Sequence, residues 1–140
     1  MHTEGSFSPE SREAAVERYE TLGGAAQTVV REVTRAMEFD RDEYDDRVDG
    51  GVVETARDAL FASLLQVTVG ERADYEAWLE DHPDYEAIEA GSENVDRVVW
   101  HPVPFADTVV AATFQNEERA AVDTLRRQAF GRVYRDAVSQ

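Results

Sequence analysis

The chain has 140 residues, of which 42% are hydrophobic and 9% aromatic, which suits one domain with its own core. Thirty acidic and fourteen basic residues give a net charge of −16, and a surface of that sign repels nucleic acids and anionic membranes. Cysteine is absent, which excludes disulfides, thiolate nucleophiles and zinc–thiolate sites. No apolar run approaches the ~20 residues of a membrane span, and the first ten residues lack the features of a secretory signal. We therefore expect a single cytoplasmic domain over residues 1–140.

Lysine is also absent, so every basic residue is an arginine. Isoleucine occurs once and asparagine twice, against eighteen valines, which is typical of a GC-rich genome. An acidic excess is tolerated in molar salt, where the Debye length falls to about 3 Å and surface carboxylates no longer repel one another strongly. The composition therefore predicts a protein of an extreme halophile.

The first half of the chain is predicted to hold about four to five helices after a flexible tail at residues 1–8. Ser8 and Pro9 favour a helix start, and Gly23–Gly24 favour its end. A second helix follows, with an apolar face that we expect to be buried: Ala26, Val29, Val33, Ala36 and Met37.

Two more breaks divide the helices that follow. Asp40 and Glu43 have the spacing of a capping box, which predicts a short helix that Gly50–Gly51 ends. Apolar residues at helical spacing then predict helices over 52–65 and 72–82, the second stopped by Pro83.

The second half changes to strand patterns. Residues 66–69, 85–91, 94–103 and 107–115 are rich in valine or aromatic residues and are separated by turn residues, which predicts a three- to four-stranded antiparallel sheet. We expect Pro102 and Pro104 to keep their connection out of the sheet interior. Asn116 is predicted to cap a long C-terminal helix that ends near Val138. The predicted fold class is α+β.

Five segments carry a resemblance to a known family: "AAQTVVREVTRAMEFDRDEY", "ETARDALFASLL", "GSENVDRVVW", "FADTVVAATFQNEE" and "TLRRQAFGRVYRD". Together the chain resembles an uncharacterised family of small acidic haloarchaeal proteins, a domain of unknown function, over nearly its whole length. The resemblance implies a cytoplasmic halophile protein and supplies no catalytic or binding residue.

Several chemistries are excluded by motif. Without lysine there is no Walker-A lysine and no Schiff-base nucleophile, and no nucleophile elbow is present. The three histidines show no i, i+4 pair, so the sequence predicts no metal site and no cofactor. The best candidate for a site is the pair Trp100 and His101, because an aromatic plate and a titratable ring at a strand end suit small-molecule binding.

Two arginines stand out because helical phasing turns them toward a core. Arg126 falls inside the apolar stripe of the C-terminal helix, and Arg57 lies beside Val53 on its own helix. A buried arginine needs a partner. One interpretation is structural ion pairs with acids such as Glu32 or Glu54, and the other is a shared pocket for a carboxylate or phosphate ligand.

Other residues of the C-terminal helix point outward. Arg127 and Arg135 fall on the polar side and Arg132 lies at the margin of the apolar stripe. Positive charges near a helix C-terminus interact favourably with the helix dipole. Gly131 also lies away from the apolar stripe, where a helical glycine costs ~1 kcal/mol without packing in return. A contact with a second subunit near Gly131 and Tyr134 is one explanation.

Three hypotheses on function follow from these features. The first is a non-enzymatic interaction or small-ligand-binding protein that forms a homo-oligomer, with a small anion as a possible ligand. The alternative is a small enzyme that uses His101 with carboxylates or Arg126. The weakest is nucleic-acid association through Arg127, Arg132 and Arg135, given the acidic charge.

Overall fold

A computed structural model describes residues 1–37, 50–92 and 94–138. In these residues the chain is α+β, with helices packed on a five-stranded sheet. The strands are β1 (His2–Glu4), β2 (Val67–Glu71), β3 (Glu86–Ala90), β4 (Arg97–Val103) and β5 (Thr108–Phe114). The helices are α1 (Arg12–Ala36), α2 (Gly50–Leu64), α3 (Arg72–Asp81) and α4 (Glu118–Ala129), and a last helical turn, α5, covers Arg135–Val138.

The strand order is β1-β2-β4-β5-β3, and every pair is antiparallel except β3 with β5. The predicted antiparallel sheet of three to four strands is therefore wrong for β3, which pairs in parallel, and the sheet has five strands. The reason is visible in burial: β4 and β5 are buried on both faces and take the centre, while β3 is mostly exposed. Since β2 and β5 occupy both edges of β4, β3 pairs with the free edge of β5.

Alternation along β4 and β5 divides the core between the two faces of the sheet. Val99 and Val103 join the larger core under α1, α2 and α4, whereas Val98 and Trp100 face α3 and Tyr75. Pro102 lies within β4, opposite Val109 of β5, but β2 pairs only with residues 97–100 of that strand. Proline is tolerated there because its other side has no strand neighbour.

The predicted flexible tail at residues 1–8 contributes a short strand, β1, to the sheet. His2 to Glu4 pair with Val67 to Val69 as an edge strand. Phe7 then packs edge-to-face on Phe61, with ring centroids 5.5 Å apart. A three-residue strand with polar side chains carries too weak a pattern to be recognised from sequence.

Helix α1 begins later and runs much longer than predicted. Ser11, not Ser8, is the N-cap, and its hydroxyl accepts a hydrogen bond from the Ala14 amide. The helix continues through Gly23–Gly24 to Ala36 because packing against α2 outweighs the low helix propensity of glycine. The predicted helix after Asp40 lies outside the described residues.

The predicted helical N-terminal half is confirmed in part, because this half contains the strands β1 and β2 as well as the helices α1 and α2. The predicted helices at 52–65 and 72–82 are found as α2 and α3, and the strand predicted at 66–69 is found as β2, Val67–Glu71. The long C-terminal helix is also found, but Phe130–Tyr134 form a π-helical turn in it. In the described part of the chain no helix is long and apolar enough to cross a membrane.

Candidate functional site

The candidate residues His101 and Arg126 meet at the buried junction between α2 and β2. Three consecutive backbone carbonyls at this junction each have a different donor. The Phe7 amide donates to the Leu64 carbonyl at 3.0 Å, and Arg126 Nε donates to the Leu65 carbonyl at 2.9 Å. His101 Nδ1 lies 2.6 Å from the Gln66 carbonyl. We call these groups the junction network.

The junction network fixes the tautomer of His101. A carbonyl only accepts, so Nδ1 carries the proton, and Nε2 accepts from the Tyr134 hydroxyl at 2.7 Å. The imidazole is fully buried, and this burial lowers the pKa of His101 to about 4; the nearby Arg126 charge acts in the same direction, while the bond to the Gln66 carbonyl opposes it. His101 is therefore neutral near pH 7, with both ring nitrogens engaged.

Arg126 lies in the core as its phasing predicted, at 9% exposure. Its partner is a carbonyl rather than a carboxylate: in the described residues no acid lies within ion-pair distance of its guanidinium. A positive charge at the last carbonyls of α2 also complements the helix dipole. Gly5, with φ +86°, makes room, because a Cβ there would stand 2.7 Å from Arg126 Nη2.

Trp100 and His101 do not share a site. As neighbours on β4 they point to opposite faces of the sheet, and Trp100 is 2% exposed, with its ring centroid 5.4 Å from that of Tyr75. The predicted strand-end pocket of these two residues is wrong because β4 continues through His101 to Val103.

Arg57 belongs to a different environment from Arg126. Its guanidinium carbon lies 4.8 Å from the centre of the Tyr19 ring and rests above the bare backbone of Gly23. The Tyr19 hydroxyl donates to Asp58 Oδ1 at 2.7 Å. Burial and this bond raise the pKa of Tyr19 to about 12. Arg57 thus stacks on α1, whereas Arg126 binds the junction, and the predicted shared anion pocket does not form from these two residues.

The residues expected at a subunit contact fall in different places. Tyr134 is fully buried beside His101 and Phe61, so it offers no surface to a partner. Gly131 is exposed with open space where a Cβ would lie, inside the π-helical turn. Arg127, Arg132 and Arg135 are exposed, with Arg135 seated 5.5 Å from the centre of the Phe130 ring.

An open groove of about 510 Å³ lies between α4 and the ends of β5 and β3. Neutral polar side chains line it, among them Asn116, Thr124 and Gln128. None of the four predicted ligand-binding residues lies in this groove, so it does not support an anion site.

Helices α1 and α2 pack on each other as an antiparallel pair that we call the arm. Among the described residues, the exposed large hydrophobic side chains other than Met1 lie on these helices or directly after α1. Val29, Val33 and Met37 are 42%, 52% and 59% exposed, and Val52 of α2 is 39% exposed. The sequence placed the first three on the buried face. The structure buries Val30 and Thr34 instead, together with Ala26, which the sequence also placed on the buried face. This buried stripe lies about a sixth of a turn or more away from the exposed residues.

A second group of titratable residues was missed from the sequence. His2 Nε2 lies 3.6 Å from Glu4 Oε2 and 3.4 Å from Glu118 Oε2, and one donor atom from each residue lies within 4.8 Å of the others. The spacing His2-x-Glu4 was the only available signal, because Glu118 lies at the other end of the chain.

Comparisons with known proteins confirm the resemblance to a domain of unknown function, and a haloarchaeal origin stays a prediction. No curated protein and no solved structure matches the chain. One family profile matches residues 6–135, which takes in nearly every element described above, from Phe7 to the start of α5. The chain therefore belongs to that family, the family of unknown function DUF5809.

Proposed function

We propose that this protein is a non-enzymatic interaction protein that self-associates through the arm. The observation that carries the proposal is the exposed valine pair of α1, with Val29 at 42% and Val33 at 52% exposure. An isolated surface valine needs no explanation, but several on one side of a helix indicate a contact surface.

Spacing along α1 supports a helical partner. Leu22, Ala26, Val29, Val33 and Ala36 follow the 4-3-4-3 rhythm of a heptad seam. This seam runs beside the face that packs on α2 and shares Ala26 with it. A helix with two adjoining seams is typical of a bundle, in which each helix packs against more than one neighbour.

A second copy of the chain is the occupant that fits this surface best. The arm is itself an antiparallel helix pair, and two such pairs related by a twofold axis make a four-helix bundle with a closed, self-complementary contact. The low net charge of the arm also permits the contact between two copies. Four arginines balance four glutamates in α1, and α2 adds a net charge of −1, in a chain of −16. Two arms therefore approach with little of the repulsion that the rest of the surface would cause.

The test is the native mass of the chain in molar KCl with one charge placed on the seam. We expect the unaltered chain to be a dimer, and Val33→Glu to give a monomer, because a carboxylate would be buried without a partner. Thr28→Glu is the matched control, since Thr28 is exposed on α1 about 140° away from Val33. It adds the same charge to the same helix and should leave the mass unchanged. A monomeric parent, or equal masses for both variants, would contradict the proposal.

The composition supports a setting for this function. We propose the salt-filled cytoplasm of an extreme halophile, on the basis of the −16 charge and the absence of lysine and cysteine. An enzyme using His101 is less well supported, because His101 is buried with both nitrogens bonded. Nucleic-acid binding through Arg127, Arg132 and Arg135 has the acidic surface against it.

A further inference from the structure

We infer that His2, Glu4 and Glu118 form a binding site for one divalent transition-metal ion, independent of the arm. The three side chains come from two elements that the fold brings together at one edge of the sheet. His2 and Glu4 lie two residues apart on β1 and so share one side of that strand. Glu118 is the first residue of α4.

The spacing of the donor atoms suits a metal ion. His2 Nε2 stands 3.4 Å from Glu118 Oε2 and 3.6 Å from Glu4 Oε2. Ligands held about 2.0–2.2 Å from a zinc ion lie roughly 3.0–3.5 Å from one another in tetrahedral or octahedral geometry. All three donor atoms lie within 4.8 Å of one another, so side-chain shifts would be needed to bring them onto one ion.

Two arginines orient the carboxylates from outside. Arg97 Nη2 lies 3.1 Å from Glu118 Oε1, and Arg119 Nη2 lies 3.6 Å from Glu4 Oε1. Each guanidinium thus contacts the outer oxygen of its carboxylate, which leaves both Oε2 atoms turned toward His2. Partners that hold the outer atoms of metal ligands commonly fix such sites.

The donor set selects the class of ion. One imidazole and two carboxylates suit Zn²⁺, Co²⁺ or Mn²⁺, whereas Mg²⁺ and Ca²⁺ prefer oxygen ligands alone. The ligand side chains are 50%, 25% and 33% exposed, so solvent reaches the site and can fill the open coordination positions. A bound ion would fasten β1 to the start of α4 and stabilise the N-terminal strand.

The test is calorimetric titration of the full chain with Zn²⁺ in a non-chelating buffer. We expect one saturable ion per chain, with affinity at least tenfold lower in His2→Gln and Glu118→Gln. Glu117→Gln is the matched control, because it removes the neighbouring exposed carboxylate, and we expect its affinity to change less than twofold. Co²⁺ should give a visible absorption spectrum in the parent that is lost in His2→Gln.

An ion pair without a metal is the competing explanation, in which a protonated His2 bridges the two carboxylates. Equal Zn²⁺ affinity for the parent and His2→Gln would overturn the proposal. Weak uptake at many sites in every variant would also overturn it, since that assigns binding to the acidic surface at large. His2→Gln keeps the test decisive if Glu118→Gln unfolds, because the His2 side chain is half exposed and outside the core.

Discussion

At the residue scale, the buried polar side chains serve the backbone. His101 and Arg126 are the donors for the carbonyls of Gln66 and Leu65, where α2 ends and β2 begins. Buried carbonyls without donors are costly, so a turn enclosed by the core needs side chains of this kind. Arg126 looked like a site in the sequence because a charged group aimed at a core is typical of both roles, and His101 did so because a titratable ring was expected at a strand end.

Removing Arg126 should destabilise the fold far more than removing its neighbour. Arg126→Leu leaves the Leu65 carbonyl without its donor, which should cost about 1–3 kcal/mol. Arg127→Leu removes an exposed side chain and should cost less than about 0.5 kcal/mol. Chemical denaturation of the two variants measures the difference. Equal losses would mean that the Arg126 hydrogen bond contributes nothing.

The pH dependence of stability should reflect the lowered pKa of His101. Its pKa is lowered from 6.5 to about 4 in the folded chain, so the unfolded chain binds a proton first as the pH falls. The stability present above pH 6.5 is therefore lost progressively toward pH 4, by up to about 3 kcal/mol. His101→Gln should lack this part of the slope, and denaturation from pH 7 to 4 compares the two. Parallel curves would contradict the buried neutral imidazole.

At the element scale, the sequence predicted α2, α3, β2 and the C-terminal helix well, because each has a strong period of its own. The prediction failed where contacts between elements determine the length of a helix or the pairing of a strand. Gly23 and Gly24 look like a helix end, yet α1 continues because Gly23 lies under the Arg57 guanidinium. The parallel pairing of β3 depends on which edges remain free after β2 and β4 pair, and no local pattern records that.

The adjacent glycines of α1 should respond to alanine in different ways. A Cβ at Gly24 would meet open space, so Gly24→Ala should stabilise by up to ~1 kcal/mol through helix propensity alone. A Cβ at Gly23 would collide with Arg57 Nη2 and push the guanidinium from the Tyr19 ring. Gly23→Ala should therefore melt below Gly24→Ala. The reverse order of melting temperatures would show that the packing of Arg57 on the Tyr19 ring does not stabilise the fold.

Gly131 offers a parallel test in the π-helical turn. It has the same open surroundings as Gly24, so Gly131→Ala should raise the melting temperature with the native mass unchanged. A variant of lower mass would instead place Gly131 at a subunit contact and move the interface away from the arm.

At the scale of the whole molecule, charge and apolar surface are unevenly distributed. The two helices of the arm together carry a net charge of −1, and the rest of the sequence carries the other −15. Composition alone gives the total charge. It does not tell which apolar stripe of α1 is covered by a neighbouring helix. Val29 and Val33 look like core residues in the sequence, and only the packing of α2 on the neighbouring stripe leaves them exposed.

Salt should stabilise the whole fold. At low ionic strength the acidic surface repels itself, and in molar salt the Debye length falls to about 3 Å. We expect cooperative unfolding on dialysis into dilute buffer and recovery in molar KCl, followed by circular dichroism. A melting temperature that is flat across this range would contradict the halophile assignment.

Self-association through the arm is the central claim, and cross-linking at one seam position tests it most directly. The chain has no cysteine, so Val33→Cys introduces a single thiol at the seam and Thr28→Cys introduces one on the far side of α1. In molar KCl, a short bismaleimide should convert Val33→Cys largely to covalent dimer at low protein concentration and leave Thr28→Cys monomeric. The reason is that residues beside a twofold axis lie near their own counterparts, and we propose that the axis crosses the exposed pair Val29 and Val33. Equal cross-linking of the two variants, or none in either, would contradict the account.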